Sequence, residues 1–490
     1  MRSRLATCAA LAFGVVALAG CGSGSGGGGG GSLPGGASVA PKSTVAFISV
    51  VTDRSSSQWQ QALALVKRFP GAEQALSHRQ GKAVLGAIGP ELDVVVLNAP
   101  SKGSSDLVLL TQPKDPAKLN SAVSKGTVHT VVDGWTAYAS SQAILKKFEA
   151  ERSSGTLNDD KTFQDGYGSL PSDALAKAYV RGSVIEQRLR QSLSQSGLAG
   201  ASSITSSISS NTGQLESLSA ALVPQQTGVK LNLNANGNLP GKPSTFSPEL
   251  PSVLPSGALA YLAFSNLESS LRNGLQQLSQ VYPQVDAVRA QLETLGGFSV
   301  DKELLPLFAG EGAVAVYPSP VSKAVKGQAA SPTIDVVFKI SDQAAAEKVV
   351  TGVAKLARLA KSVTVTKVNG VTQFRLSKTS TLSVAVLGDK LVITNHLASL
   401  AAIQSGTSKL ADDSSYTQAV DSAGLPSHTS GFVYVNTPVA LTDALQSSAQ
   451  QSHQRVNPMA LAAVSHLEGL LLYSNKNGGN YELTGFLGIK

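Results

Sequence analysis

Short segments from the first half of this chain recur, in the same order, in its second half. The apolar stretch Pro41–Ile48 returns in kind as Pro255–Leu262, and the acidic segment Leu157–Phe163 returns as Leu410–Tyr416. Recurrence in a fixed order indicates duplicated structural units, so we predict two tandem copies of one unit of roughly 200 residues. The predicted ranges are 41–240 for the first copy, 241–254 for a proline-rich linker and 255–490 for the second copy.

Turn signals in the second copy indicate antiparallel strand pairing. The dipeptide Asn369–Gly370 separates the β-type segments 363–368 and 371–376, which is typical of a two-residue hairpin. A second hairpin is predicted where 470–473 and 481–487 flank a turn rich in Asn and Gly. Because two-residue connections cannot join parallel strands, we predict an α+β fold in which each copy is an antiparallel sheet with helices on one face.

The first 20 residues have the parts of a bacterial lipoprotein signal peptide. Arg2 and Arg4 form a positive n-region, an apolar run continues to Leu18, and small residues precede Cys21. We therefore predict a signal peptide over 1–20, acylation of Cys21, and a flexible Gly/Ser tether to residue 40 with a reach of about 20 to 30 Å. The predicted location is the extracytoplasmic face of the cell membrane. An uncleaved anchor is disfavoured, because the run is shorter than the ~20 residues of a membrane span.

Cysteine usage limits the chemistry. Cys8 and Cys21 are the only cysteines in the sequence, so the folded part has none. Disulfides, thiolate metal sites and a cysteine nucleophile are thereby excluded. A free thiol at Cys21 is the alternative to acylation.

The net charge of +8 is mildly basic, and the lysines are scattered rather than clustered. This charge suits proximity to anionic lipid or wall polymer, although a mixed solvated surface accounts for it as well. Nucleic-acid binding has no support, because aromatic residues make up only 5% of the chain and form no basic and aromatic stripe.

Two acidic pairs, Asp159–Asp160 and Asp412–Asp413, occupy matching positions in the two copies. Each pair precedes a helix-like segment whose first aromatic residue, Phe163 or Tyr416, has the same offset. An Asp at the start of a helix accepts hydrogen bonds from free backbone amides, whereas a calcium site needs 6 to 8 oxygen ligands. We therefore predict that the pairs cap helices, with cation binding as the alternative.

Motifs for catalysis, metal binding and phosphate binding are absent from the sequence. We accordingly expect no catalytic residues, no metal site and no cofactor. Trp59 and Trp135 are expected in the core, with a ligand cleft as the alternative. The six histidines are isolated, and surface or buried structural positions are expected for each of them: His78, His129, His396, His428, His453 and His466.

Several of these features together resemble a known bacterial envelope family. They are the strand beginning at Pro41, a helix ending in 66–71, the paired Leu-x-Asp-Asp-x-x-aromatic segments followed by Leu-Pro, and the lipoprotein start. In this combination the chain resembles the family called domain of unknown function 3352, over nearly the whole mature chain. The resemblance implies an envelope location and a fold, and it brings no catalytic residues with it.

Three classes of function are compatible with the sequence. The favoured one is a tethered, non-enzymatic binding or scaffold protein of the cell envelope. The alternative is a carrier of lipid or another hydrophobic ligand, for which an apolar cavity of several hundred Å³ would be the evidence. An envelope hydrolase is disfavoured by the missing motifs. Partners compatible with this placement are the membrane through Cys21, lipid, wall polymer or an envelope protein.

Overall fold

A computed structural model describes most of the chain beyond the predicted signal and tether. The described residues are 33–71, 84–98, 106–123, 126–195, 215–237, 244–282, 284–318, 332–360, 362–377, 380–451, 455–477 and 480–490. Across these segments no helix is both long enough and apolar enough to cross a membrane. Helices and antiparallel strands alternate along the chain, which confirms the predicted α+β class.

The elements are numbered in chain order. The strands are Ala46–Val51 (β1), Glu91–Val96 (β2), Leu107–Thr111 (β3), Val128–Val132 (β4), Trp135–Ala139 (β5), Ala176–Arg181 (β6), Leu215–Gln225 (β7), Gly228–Gly237 (β8), Ala260–Ser265 (β9), Glu311–Tyr317 (β10), Thr333–Lys339 (β11), Thr364–Val368 (β12), Val371–Arg375 (β13), Thr381–Leu387 (β14), Lys390–Thr394 (β15), Gly431–Val435 (β16), Leu467–Asn477 (β17) and Asn480–Ile489 (β18). The α-helices are Ser57–Val66 (α1), Pro116–Ala122 (α2), Gln142–Arg152 (α3), Lys161–Gly168 (α4), Gly182–Gln195 (α5), Leu267–Val281 (α6), Gln284–Gly296 (α7), Gln343–Leu359 (α8), Leu397–Ser405 (α9), Ser414–Ala423 (α10), Thr437–Gln451 (α11) and Pro458–Val464 (α12).

The chain divides into two compact units. The first unit groups Met1–Pro243 with Asn457–Leu467 and Leu472–Lys490, and the second groups Ser244–Val456 with Glu468–Leu471. The copies predicted from sequence recurrence, 41–240 and 255–490, remain a prediction. The compact units have different bounds, because 457–467 and 472–490 contact the first unit more than the second.

The sheet of the first unit has the strand order β4–β5–β3–β2–β1–β6–β7–β8–β18, and every pairing is antiparallel. The first strand, β1, therefore lies in the middle, between β2 and β6. Helices α3 and α4 cover this sheet with Leu145, Phe148, Phe163 and Tyr167, all of which are buried in one cluster with Phe47 of β1.

The sheet of the second unit has the order β12–β13–β14–β15–β11–β10–β9–β16, again antiparallel throughout. Its first strand, β9, also lies in the middle, between β10 and β16. The inner order β5–β3–β2–β1–β6 thus has its counterpart in β15–β11–β10–β9–β16. The matching strand orders allow residues at corresponding positions of the two sheets to be compared. The tandem-copy organisation remains a prediction.

The strands β12 and β13 form the predicted hairpin. Val368 pairs with Val371 across Asn369 and Gly370, whose φ angles of 50° and 81° lie in the left-handed region that a tight hairpin turn requires. This prediction is confirmed. The strands of the second predicted hairpin are β17 and β18, and 478–479 of its turn lie outside the described residues.

Candidate functional site

A row of three polar side chains crosses the middle of the first unit's sheet. Ser49 on β1 is paired with Asp93 on β2 and with Lys177 on β6. Directly paired residues of antiparallel strands project from the same face of a sheet. The next row on that face, Val95–Phe47–Tyr179, is fully buried, so the polar row extends directly into the hydrophobic core.

Asp93 is the least expected member of this row. Its relative exposure is 0%, and within the described residues neither carboxyl oxygen has a partner at hydrogen-bonding geometry. The Ser49 hydroxyl, the Glu91 carboxyl and the Gly36 amide are its nearest polar neighbours. Burial, and secondly the charge of Glu91, raise the pKa of Asp93 well above its ordinary value. Burial at this position therefore favours the neutral form of Asp93, because an ionised carboxylate without a charged partner is costly there.

Lys177 lies at the other end of the row. It is 8% exposed, and its Nζ atom is 5.2 Å from the ring centroid of Tyr167 on α4, a distance typical of a cation–π contact. Burial lowers the pKa of Lys177, which the charge of Asp173 partly offsets. Tyr167 is itself buried, and burial followed by the nearby carboxyl of Asp93 raises its pKa well above the usual range. The row thus combines an acid, a hydroxyl and an amine that are all shielded from water.

The second unit shows that this sheet does not need a polar row. The paired positions are Ala313 on β10, Ala263 on β9 and Phe432 on β16, and all three are buried. The next row of the sheet shows that these positions correspond in the two units. There Tyr261 packs edge-on against Tyr416 of α10, as Phe47 packs edge-on against Phe163 of α4.

This difference makes the row a candidate functional site. Replacing buried ionisable groups with apolar residues is often neutral or stabilising, so a sheet position that accommodates Ala and Phe has no structural need for Asp and Lys. Buried groups with perturbed pKa values are enriched at functional sites.

Sequence inspection missed these three residues. The available signal was the charged Asp93 inside the apolar strand Glu91–Val96, where the corresponding strand Glu311–Tyr317 has Ala313. Glu91 itself has a counterpart in Glu311. Glu91 accepts a hydrogen bond from the Gly36 amide at 3.3 Å, and Glu311 accepts one from the Glu249 amide at 2.9 Å. In each unit, this glutamate holds the chain segment that precedes the unit's first strand, so we interpret Glu91 and Glu311 as structural. The Asp93 row has no such counterpart and is specific to the first unit.

A second candidate is the exposed apolar face of the helices α6 and α7 in the second unit. Leu278 is 49% exposed and Val288 is 52% exposed. The other large apolar side chains exposed along this helix pair and its connection are Leu271, Tyr282, Leu292 and Leu295. Leu271 and Leu278 are seven residues apart on α6, and the three members on α7 are spaced by four and three residues, so each helix carries one stripe. We refer to these six side chains as the apolar helix face.

One open cleft of about 410 Å³ is described near the C-terminal end of α7. Five of its seven lining residues have polar or charged side chains, and one is aromatic: Glu293, Gly297, Phe298, Ser299, Lys302, Glu303 and Lys348. The polar groups are largely paired with one another. Glu303, for example, accepts hydrogen bonds from Lys348 at 2.5 Å and from the Ser299 amide at 2.7 Å. This cleft is therefore unlike the apolar cavity that a lipid carrier needs.

The second residue of each acidic pair caps a helix, as predicted. Asp160 accepts a hydrogen bond from the Thr162 amide at 3.0 Å at the start of α4, and Asp413 accepts one from the Ser415 amide at 2.9 Å at the start of α10. The second oxygen of each is also used. It pairs with Arg181 at 2.5 Å in the first unit and accepts from the Gly257 amide at 2.9 Å in the second.

The first residue of each pair behaves differently in the two units. Asp159 accepts from the Thr156 amide at 2.8 Å in a capping box, and this bond is the main cause that lowers the pKa of Asp159. Asp412 ends the short 3-10 helix Leu410–Asp412. Across the part of the chain that the structure describes, no three His, Cys, Asp or Glu residues are arranged to hold a metal ion.

The remaining predicted residues lie at dispersed positions. Trp135 is buried in the core of the first unit, as expected, whereas Trp59 on α1 is partly exposed. His129 contacts the ring of Tyr138, His396 precedes α9, His428 is exposed beside Ser247, and His466 contacts Phe69. The described members of this set lie on separate elements. The positions outside the described residues are Cys8, Cys21, His78 and His453.

Comparison with known proteins identifies a family for this chain. Residues 110–482 match the sequence profile of the family described as Protein of unknown function (DUF3352), and the chain belongs to this family. No curated protein matches it significantly.

Among solved structures, crystal form III of the protein TP0453 is 13% identical with a TM-score of 0.26, covering 49% of this chain and 80% of that one. Crystal form IV gives 13% and 0.24 over 47% and 76%. These scores are too low to support a functional argument.

Proposed function

We propose that this protein is a lipid-anchored, non-enzymatic binding protein on the extracytoplasmic face of a bacterial cell membrane, and that the apolar helix face binds another envelope protein. The observation that carries the binding function is the concentration of six exposed large apolar side chains on two consecutive helices and their connection. Contiguous exposed apolar surface is typical of interaction sites. The anchor is proposed from the signal-like start of the sequence and from Cys21.

The chemistry of the face favours a protein over the other partners considered. A wall polymer is polar and offers little apolar area to bury against leucine side chains. Anionic lipid attracts free basic residues, but the arginines of these helices are already paired. Arg272 contacts Glu268 at 2.7 Å and Asp301 at 3.1 Å, and Arg289 contacts Asp286 at 3.4 Å. A protein surface with its own apolar patch is the complement that remains.

The carrier alternative has less support. The described cleft beside Phe298 is open and is lined by four charged side chains, whereas a carrier would enclose an apolar cavity. Enzymatic activity has no motif in its favour, and no motif in the chain assigns a reaction to the buried Asp93 row.

A crosslinking experiment tests the proposed binding face. A photoreactive amino acid at Leu278 or Leu292, in cells that express the full chain, is expected to give a discrete crosslinked protein. The double variant Leu278→Ser/Leu292→Ser should abolish capture by a crosslinker at Leu295. The matched control is Val368→Ser, because Val368 is 56% exposed on a different element.

The outcomes separate the alternatives. Equal capture by the double variant and the Val368→Ser control would overturn a binding role for the apolar helix face. Flotation of the Cys21→Ser chain with phosphatidylglycerol vesicles, lost in the double variant, would assign the face to the membrane instead. Lipid that still co-purifies with the Leu278→Ser/Leu292→Ser variant would favour the carrier function.

A further inference from the structure

The polar row of the first unit is covered by the first described turn of the chain. The 3-10 turn Gly35–Ser38, which we call the N-terminal turn, lies directly over Asp93. Gly36 and Ala37 are buried, and Ala37 belongs to the same core cluster as Trp135. The turn is therefore packed against the sheet rather than loosely attached.

The fit between the turn and the site depends on two glycines. A Cβ atom placed on Gly36 would lie 1.9 Å from Oδ2 of Asp93, and one placed on Gly35 would lie 2.7 Å from Cζ2 of Trp135. No other residue type fits at Gly36 without displacing the carboxyl. Glycine also loses the most backbone freedom on ordering, so a Gly–Gly turn is easier to release than one of other composition.

Contacts on both sides of the turn hold it in the first unit. Downstream, the Leu157 amide donates to the Ala40 carbonyl at 2.9 Å, and the Lys42 amide donates to the Gly155 carbonyl at 2.9 Å. Upstream, Pro34 is buried and accepts a hydrogen bond from the Ala37 amide at 3.1 Å, and Leu33 packs against the same core cluster. Opening about a hinge near Ala40 therefore has to release Leu33 and Pro34 together with the turn.

The charged and titratable neighbours of Asp93 come from every packed element. Glu91 on β2 is the nearest charge, Tyr167 on α4 contributes a phenol, and Lys177 on β6 lies at the far end of the row. The N-terminal turn contributes no charge, since its residues are Gly, Gly, Ala and Ser. No described cation lies within ion-pair distance of Asp93.

We propose that the N-terminal turn is a pH-dependent lid, which deprotonation of Asp93 opens and which uncovers the Asp93–Ser49–Lys177 row. In the closed state the carboxyl of Asp93 is shielded from bulk solvent, whereas in the open state water solvates it. The closed state therefore binds a proton that the open state releases. Deprotonation and opening are one coupled equilibrium.

The sign of the pH dependence follows from this linkage. Because the pKa of Asp93 is raised in the closed state, closure is strongest below the ordinary Asp value of about 3.9 and weakens as the pH rises above it. The opening constant should increase about tenfold per pH unit, up to the closed-state pKa, and should then level off.

Amide hydrogen exchange measures this opening directly. The amides of Gly36, Ala37, Val39 and Ala40 all donate hydrogen bonds in the closed turn. Exchange of a peptide covering 35–40 is followed by mass spectrometry from pH 4 to 8, and each rate is divided by the intrinsic rate at that pH. The wild-type chain should show the tenfold rise per unit over part of this range, and Asp93→Asn should show none.

Two controls keep the test decisive. Asp335→Asn removes another buried acid with a raised pKa, one that accepts a hydrogen bond from Ser399 in the second unit, and it should leave the rise intact. Gly36→Ala should leave the peptide unprotected at every pH, because the added methyl prevents closure. A wild-type opening constant that does not change with pH, or a rise that persists in Asp93→Asn, would overturn the proposal. If Asp93→Asn fails to fold, Asp93→Ala takes its place in the same measurement, because the matched position 313 of the second unit is a buried Ala.

Discussion

Both units contain a close contact between a helix and a strand. The glycine of this contact is on the strand in the second unit and on the helix in the first. In the second unit a Cβ atom on Gly469 of β17 would lie 2.7 Å from Cβ of Ala419 on α10. In the first unit a Cβ atom on Gly166 of α4 would lie 2.7 Å from Oγ of Ser217 on β7. Only one partner of each pair carries a side chain. We therefore predict that each contact tolerates a side chain on either the helix or the strand, but not on both.

The expected magnitudes follow from the overlap. Carbon atoms in ordinary contact are about 3.5 to 4.0 Å apart, so the methyl of Gly469→Ala overlaps Ala419 by about 1 Å. It also meets the Tyr434 ring at 3.1 Å. Overpacking of this kind costs about 1 to 3 kcal/mol of unfolding free energy. Ala419→Gly alone costs about 1 kcal/mol through lost helix propensity. The double variant should cost about 1 kcal/mol, so the coupling energy is about 2 kcal/mol.

Chemical denaturation of the four members of this double-mutant cycle measures the coupling. Gly274→Ala is the matched control, because its Cβ atom on α6 would meet nothing within 4 Å. That substitution should stabilise the second unit by about 0.5 to 1 kcal/mol through helix propensity. Additive costs in the cycle, or a Gly469→Ala variant as stable as the Gly274→Ala control, would refute the close contact and its exchange between the units.

Three further predictions concern the sites identified from sequence. Cys21→Ser should release the protein from membranes into a soluble or precursor form, and a correctly cleaved Cys21→Ser chain that stays in the membrane fraction would contradict attachment through this residue alone. Asp413→Ala should lower the unfolding free energy by about 0.5 to 2 kcal/mol, because α10 loses its cap, while Asp412→Asn should change it by less than about 0.5 kcal/mol in the same denaturation assay. Calcium should not raise the melting temperature in calorimetry, since Asp160 and Asp413 use their oxygens for helix caps and the Arg181 or Gly257 contacts; stabilisation that disappears in Asp160→Asn/Asp413→Asn would assign a cation site instead.

Features set by neighbouring residues could be predicted from the sequence. Asn369–Gly370 determines a hairpin because both residues tolerate positive φ, and Asp160 and Asp413 cap helices because their carboxyl groups reach amides two residues ahead. The α+β class followed from such local signals, and the resemblance to the family followed from their order along the chain.

The candidate site could not be predicted in the same way, because its members meet only when three strands pair. Ser49, Asp93 and Lys177 are separated by more than 40 residues at each step, and nothing near Asp93 in sequence says that Gly36 will exclude water from it. Whether the carboxyl of Asp93 is solvated or neutral is decided by the dielectric around it, which depends on the packing of the sheet, α4 and the N-terminal turn together. The sequence alone determined the local elements of this protein, while tertiary packing decided which of its polar residues are held at an energetic cost.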